Sequence, residues 1–148
     1  SSLMLQASAG YLERVTFIQE KPPQSHTTPS HLLLEAERQF AAYFSKKLQK
    51  FDLPTRLIGT PFQQAVWEEV AQIPYGATNS YGDIATKLGD MKLTRAVGLA
   101  NGKNPLAIII PCHRVIGADG SLTGYAGGLW RKKWLLEHEK PVKQLTLF

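Results

Sequence analysis

"SYGDIATKLGDMKLTRAVGLANG", Ser80 to Gly102, reads as two short helices joined by a tight turn. Ser80 and Asp83 make a capping-box-like pair ahead of Ile84, Ala85 and Leu88, and Gly89 supplies the stop. Leu93, Ala96, Val97 and Ala100 then recur at helical spacing up to Asn101-Gly102. The pattern fits a helix-turn-helix, and it fits any small helical hairpin equally well. The residues on either side have to decide.

Upstream, Thr60-Pro61-Phe62-Gln63 carries an N-cap threonine, a proline at the first helical position and a capping-box glutamine. Phe62, Val66, Val70 and Ile73 follow as one apolar stripe, so a helix and a new domain begin here. Before it, Leu3 to Ala7 and Leu12 to Gln19 flank Ser8-Ala9-Gly10 and predict a β-hairpin. Lys21 to Pro29 is a proline-rich loop, and Ser30 caps a helix from His31 to about Gln49. Phe51 to Leu57 is expected as a third, edge strand, since Pro54 would break a central one. Downstream, Leu106 to Ile110 is a buried apolar segment. Asp119-Gly120 predicts a hairpin turn between Val115-Ile116 and Leu122, that is, a short β-wing. The last helix is expected over Leu129 to Glu137, with Trp130, Trp134 and Leu135 as its apolar surface and Arg131, Lys132 and Lys133 on the remainder. The fold class is therefore α+β: a small N-terminal antiparallel sheet with a helix over residues 1–58, then a winged helix-turn-helix-like domain over 59–140, then a tail over 141–148.

The composition is that of a soluble globular protein of 148 residues, 43% hydrophobic and 20% charged. No apolar run approaches the roughly 20 residues of a membrane span. A single cysteine excludes an internal disulfide and a cysteine-rich zinc site. No secretory segment precedes the first strand, and the expected compartment is the cytoplasm. The net charge of +5 is spread over both halves, so any nucleic-acid surface has to be a local patch.

That cysteine lies in "IIIPCHRVIG", Ile108 to Gly117. Beside isoleucines, Cys112 reads as a small core hydrophobe. Against that, Pro111 forces a turn, and His113 and Arg114 make the turn partly polar. A nucleophilic thiol needs a base nearby, because at an ordinary pKa near 8.5 only a few per cent is thiolate at neutral pH. His113 is the candidate, although adjacent residues often point apart. Glu139 and Glu137 are both candidates for the acid that orients its imidazole, and periodicity does not separate them.

"IPCHRVIGADGSLTGYAGG", preceded by "SYGDIATKLG" and "TRAVGLANGKNP" and followed by "LLEHE", resembles the O6-alkylguanine-DNA alkyltransferase family, the methylated-DNA-protein-cysteine methyltransferases, from about Gly59 to Glu139. The resemblance implies that Cys112 attacks the alkyl carbon on O6 of a damaged guanine, with O4-alkylthymine left open as a second lesion. It implies that His113 takes the thiol proton through a water, that Glu139 orients the imidazole, and that the relay lowers the thiol pKa. Tyr81 would protonate a guanine ring nitrogen. The main-chain carbonyls of Cys112 and Val115 and the N–H of Ala126 would read the base, Tyr125 would pack beside it, and Asn104 would tie down the cysteine turn. Double-stranded DNA is the implied partner, entered through its minor groove with the alkylguanine flipped out. Arg95 would fill the gap, on a recognition helix that includes Thr94, Ala96, Gly98 and Ala100. No cofactor and no metal are expected, and the protein is expected to be a monomer with one turnover. Two rivals are an alkyltransferase-like module that binds the lesion without transfer, which Cys112 argues against, and a turnover Cys-His-Glu hydrolase.

The tail "QLTLF" lies beyond that resemblance. It reads either as an end packed on its own domain or as a match to the bacterial sliding-clamp-binding pentapeptide, through Gln144, Leu145, Leu147 and Phe148, with Thr146 departing from the pattern.

Overall fold

The computed structural model describes residues 2–19 and 30–141 of an α+β chain. Strands β1 (Ser2–Ser8) and β2 (Tyr11–Ile18) form the expected antiparallel hairpin. Its turn holds Ala9 and Gly10 at φ 52° and 83°, the positive values that a two-residue hairpin turn needs to match the strand twist. Helix α1 (His31–Phe44) is capped by Ser30, whose hydroxyl accepts from the Leu33 N–H, and it buries Ala36, Gln39, Phe40 and Tyr43. It stops at Phe44 rather than near Gln49, because the chain turns left-handed at Lys46, φ 64°.

The expected third strand is reduced to one parallel bridge, Leu12 with Thr55. The Leu12 N–H donates to the Pro54 carbonyl at 2.8 Å and the Arg56 N–H donates to the Leu12 carbonyl at 3.0 Å. Pro54 has no N–H with which to extend the ladder.

Helix α2 (Pro61–Ala71) opens with the full capping box: Gln63 N–H to Thr60 Oγ1 at 3.1 Å and Thr60 N–H to Gln63 Oε1 at 3.0 Å. It buries Val66, Trp67 and Val70. A Cβ at position 59 would stand 2.6 Å from the Trp67 ring, so glycine is required there. The Trp67 indole N–H donates to the Ala100 carbonyl at 2.9 Å and ties α2 to α4.

Strand β3 (Asn79–Ser80) leads directly into α3 (Tyr81–Lys87), where Ser80 and Asp83 complete the second capping box at 3.0 and 2.8 Å. A single 3-10 turn at Met91–Leu93 joins α3 to α4 (Thr94–Gly102). Helices α2, α3 and α4 pack on one another, the arrangement expected of a helix-turn-helix. The wing differs from expectation. Its turn exists, with the Gly117 N–H donating to the Ser121 carbonyl at 2.9 Å, but strand β4 (Val115–Ile116) pairs in parallel with β3 and not with Leu122. The neighbour in space, rather than the neighbour in sequence, takes its backbone hydrogen bonds.

Helix α5 (Leu129–Glu139) runs two residues past the expected Glu137; Leu135 is buried and Lys133 exposed as expected, but four other residues lie on the opposite side from the expected one. Arg131 and Lys132 are buried, whereas Trp130 and Trp134 are about half exposed. The hydrophobic cluster joins Leu12, Val15 and Tyr43 to Trp67, Ile84, Val97, Leu106 and Leu135. Among the described residues no helix is long and apolar enough to cross a membrane.

Candidate active site

The apolar run before the cysteine is not a strand. Val15 and Leu106 form one parallel bridge, and the chain then turns on itself, with the Ile109 N–H donating to the Ala107 carbonyl at 2.8 Å and the Ile110 N–H to the Leu106 carbonyl at 2.9 Å. Ile108 sits at φ 71°, a conformation costly for a β-branched residue. Pro111, at φ −80° and ψ 63°, closes an inverse γ-turn in which the Cys112 N–H donates to the Ile110 carbonyl at 2.7 Å. Cys112, His113 and Arg114 then form one 3-10 turn, all buried.

Asn104 locks this turn. Its Nδ2 donates to the carbonyl of Ile110 at 2.7 Å and to Sγ of Cys112 at 3.1 Å, while its Oδ1 accepts from the Leu106 N–H at 2.9 Å. Burial pushes the Cys112 thiol up, against the opposing effects of the Asn104 hydrogen bond and the Lys132 charge. The resting thiol thus shifts upward, opposite to the expected lowering, because burial penalises the thiolate more than Asn104 and Lys132 favour it.

His113 and Arg114 point the other way, onto Glu139. The Glu139 carboxylate is buried and accepts four hydrogen bonds: from His113 Nε2 at 2.8 Å, Arg114 Nε at 2.7 Å and Nη2 at 2.9 Å, and the Tyr43 hydroxyl at 2.6 Å. Burial alone would raise this carboxyl, but the hydrogen bonds from His113, Arg114 and Tyr43 together hold it well below the usual range. Tyr43 in turn is raised, by burial first and then by the adjacent carboxylate. Burial also lowers His113, more than Glu139 raises it. The imidazole is thus neutral, carries its proton on Nε2 toward Glu139, and leaves Nδ1 as a buried acceptor with no partner among the described residues. Glu137 is exposed, so the choice between the two glutamates falls on Glu139.

A cavity of about 290 Å³ adjoins the thiol, walled by Val15 and Phe17 of β2, by Asn101, Asn104 and Pro105, and by Tyr125 and Ala126. The Tyr125 hydroxyl is buried without a hydrogen-bond partner among the described residues, and its ring meets Phe17 edge-on at 6.3 Å. Tyr81 is not among the residues lining this cavity; its hydroxyl donates to the Thr123 carbonyl at 3.0 Å. The carbonyl of Cys112, expected to meet the base, accepts from Asn101 Nδ2 at 3.3 Å and from the Val115 N–H. Val115 itself is fully buried. On α4, Arg95 and Leu99 are exposed and Thr94, Ala96 and Gly98 are half-buried, with Gly98 against the Tyr81 ring. Ala100 is only 3% exposed and faces α2, which removes it from any outer contact surface. Lys92 and Lys103 flank α4 as exposed cations.

A family model described as the DNA-binding domain of 6-O-methylguanine DNA methyltransferase matches residues 61–141. The chain belongs to the methylated-DNA–protein-cysteine methyltransferase family. It is 53% identical over 131 residues to the methylated-DNA–protein-cysteine methyltransferase of Mycobacterium tuberculosis, covering 86% of this chain and 79% of that relative. It is 49% identical over 132 residues to the protein of the same description from Methanosarcina acetivorans, covering 86% and 85%. The solved structure of Mycobacterium tuberculosis OGT in complex with DNA superposes with a TM-score of 0.83 at 50% identity, over 93% of this chain and 86% of that one.

Tyr43, Asn101, Arg114 and Lys132 are site neighbours that sequence reasoning did not assign. Arg114 lies inside the cysteine motif and could have been found there. Tyr43 is 96 residues from Glu139, and nothing in the local pattern of α1 joins the two.

Both shifts at the relay make acid destabilising. His113 is lowered from 6.5, so the unfolded chain takes up that proton first and stability falls once pH drops below about 6.5. Glu139 is lowered from 4.5, and its share of stability, complete above about 4.5, is lost as pH falls further. Urea midpoints measured against pH are expected to fall in these two stages, and His113→Asn to lack the first. A wild-type midpoint that stays flat from neutrality to about pH 5 contradicts the buried, neutral His113.

Proposed function

We propose that this protein reverses DNA damage directly, by moving the alkyl group of O6-alkylguanine onto Cys112 in a single, irreversible turnover. The observation that carries the reading is the arrangement around one thiol: Asn104 at 3.1 Å on one side, an open cavity beside it, and next in the chain a neutral histidine backed by a buried carboxylate at 2.8 Å. In the step itself the thiol proton passes through a water to Nδ1 of His113. The imidazolium that forms is held by Glu139. The sulfur then bonds to the alkyl carbon as the carbon–O6 bond breaks, and the electron pair goes to the guanine. Tyr81 supplies the proton that leaves the base neutral, which requires its hydroxyl to exchange the Thr123 carbonyl for the base. The product is an uncharged thioether with no group at hand to remove it. Because burial raises the resting thiol, deprotonation in this reading belongs to the loaded complex.

The target atom is inaccessible within a duplex, so the nucleotide has to be flipped at a cost of a few kcal/mol. Arg95 is exposed on α4 and in this reading would enter the stack, with Thr94, Ala96 and Gly98 beside it in the minor groove and Lys92 and Lys103 on phosphates. Residues 59–140 carry both chemistry and DNA contact, while Tyr43 of the N-terminal unit braces Glu139. We read the protein as a monomer of the cytoplasm. The tail, Gln144 to Phe148, lies outside the described residues; as a clamp-binding pentapeptide it would tether the protein to a ring encircling DNA and raise its effective concentration there.

Intact-mass measurement after mixing with O6-methylguanine duplex is expected to show one methyl added per protein. Cys112→Ala is expected to abolish that addition while duplex affinity changes less than about threefold, since phosphate contacts supply most of it. Loss of DNA binding in this variant, or multiple turnover in the wild type, overturns the reading. Arg95→Ala is expected to slow transfer from duplex far more than transfer from the free base; equal slowing places Arg95 in the chemistry instead. Removing residues 144–148 is expected to leave transfer to a short oligonucleotide unchanged and to abolish binding to a bacterial sliding clamp in titration. A full-length chain with no clamp affinity at tens of micromolar refutes the tail's role.

A further inference from the structure

Strand β2 belongs to the N-terminal hairpin, yet it forms one side of the cavity at Cys112. Backbone bonds fix its register there: the Val15 N–H donates to the Pro105 carbonyl at 2.9 Å, and the Ala107 N–H donates to the Val15 carbonyl at 3.2 Å. Side chains two apart on a strand share a face, so Phe17 is carried to the same side as Val15. There it meets the wall that holds Tyr125. The two rings stand edge-on with centroids 6.3 Å apart, and a Cβ at position 127 would lie 2.8 Å from both Phe17 Cδ2 and Tyr125 Cε2. Glycine at 127 is what lets the turn come this close.

Side chains carry this contact. Among the described residues no backbone hydrogen bond joins residues 123–127 to β2. Arg131, 7% exposed, donates from Nη1 to the Gly127 carbonyl at 2.9 Å. Its guanidinium carbon lies 4.9 Å from the centre of the Phe17 ring and 4.5 Å from that of Trp130, within the range of a cation–π contact to each. One cation thus holds the Phe17 ring by its face and the Tyr125 turn by its backbone. Phe17 also lines an apolar groove of about 410 Å³, together with Leu3, Phe44, Trp130, Trp134 and Leu135. Its far side is therefore not closed by core packing, and the position of the ring depends on Arg131 and Tyr125.

We propose that Phe17 is a positioning residue for alkyl transfer, and that with Arg131 it fixes the wall at Tyr125 and Gly127 against which O6-alkyl groups larger than methyl are held. The proposal rests on the reading of Tyr125 as the residue beside the base. A methyl group occupies little of a cavity of about 290 Å³, whereas an aromatic alkyl group extends to its walls. A preorganised wall matters most to the group that touches it, because a loose one has to be ordered during the reaction. The N-terminal unit thereby takes part in substrate selection, in addition to bracing Glu139 through Tyr43.

The test is single-turnover transfer by the full chain from duplexes carrying O6-methylguanine or O6-benzylguanine, with the thermal midpoint measured alongside. Phe17→Leu keeps an apolar side chain but removes the ring, and is expected to slow benzyl transfer about tenfold more than methyl transfer. Phe17→Tyr, which keeps the ring, is expected to restore most of the wild-type ratio of the two rates. Arg131→Lys keeps the charge but loses the planar stack, and is expected to shift the ratio in the same direction as Phe17→Leu. In a Tyr125→Ala background, Phe17→Leu is expected to change the ratio by less than about twofold, because the group it positions is gone. A lower thermal midpoint with an unchanged ratio makes Phe17 a structural residue and overturns the proposal. An equal change of ratio in both backgrounds shows that it does not act through Tyr125 and overturns it as well, and an unchanged ratio in Arg131→Lys refutes the brace. Wild-type protein that accepts methyl but no benzyl group refutes a wall that holds larger groups. Failure of the underlying reading has its own signature: Tyr125→Ala transfers both groups at the wild-type rates, whatever Phe17→Leu does. Should Phe17→Leu not fold, Phe17→Met gives the same cycle with a more adaptable side chain.

Discussion

A single buried carboxylate organises this molecule. Glu139 accepts from Tyr43 on α1, from His113 and from Arg114, and so gathers the N-terminal unit, the cysteine turn and the end of α5 at one point. A buried anion of this kind stands only while every partner is in place; breaking such a cluster by removing one member costs about 3–5 kcal/mol, since the remaining charge is stranded. The same contacts that keep Glu139 ionised set the histidine tautomer. Stability and reactivity are therefore tied to the same few hydrogen bonds.

The active centre is built by opposing forces on neighbouring residues. Cys112 and His113 are adjacent in the chain, yet one faces a cavity and the other a carboxylate, because the inverse γ-turn at Pro111 and the 3-10 turn after it rotate them apart. This division lets a desolvated thiol remain protonated while its base stays neutral and oriented. Ile108 in a left-handed conformation and Lys132 buried with no carboxylate in ion-pair distance among the described residues are two further costs carried within the same region. Such costs persist where surrounding structure over-determines them, and around Ile108 Asn104 supplies that restraint through hydrogen bonds to Leu106, Ile110 and Cys112.

Elements governed by short-range rules were legible in the amino-acid order. Both capping boxes, the hairpin with its two-residue turn and the short helices α3 and α4 follow from propensities and caps that act within four residues. The cysteine motif was legible for the same reason, since proline, cysteine and histidine stand side by side. Elements whose hydrogen bonds go to distant partners were not. Strand β4 pairs with β3 across 36 positions, as in Asn79 with Val115, and residues 51–57 find one bridge where a strand was expected.

Helix α5 marks the boundary most clearly. Its residue types defined a helix, but not which face the fold would bury, because Trp, Arg and Lys all have long apolar bodies that either environment accepts. Tertiary structure turned Arg131 and Lys132 inward and left Trp130 and Trp134 at the surface. It also extended the helix to Glu139, separating that residue from Glu137 by burial where periodicity could not. The sequence by itself determined which residues can do chemistry, since that depends on side-chain identity and near neighbours. Which of them share a proton, and with what pKa, was decided only when the fold removed water from Cys112, His113 and Glu139 and set Tyr43 and Arg114 around the carboxylate. Desolvation and charge proximity are properties of three-dimensional packing, and no local pattern encodes them.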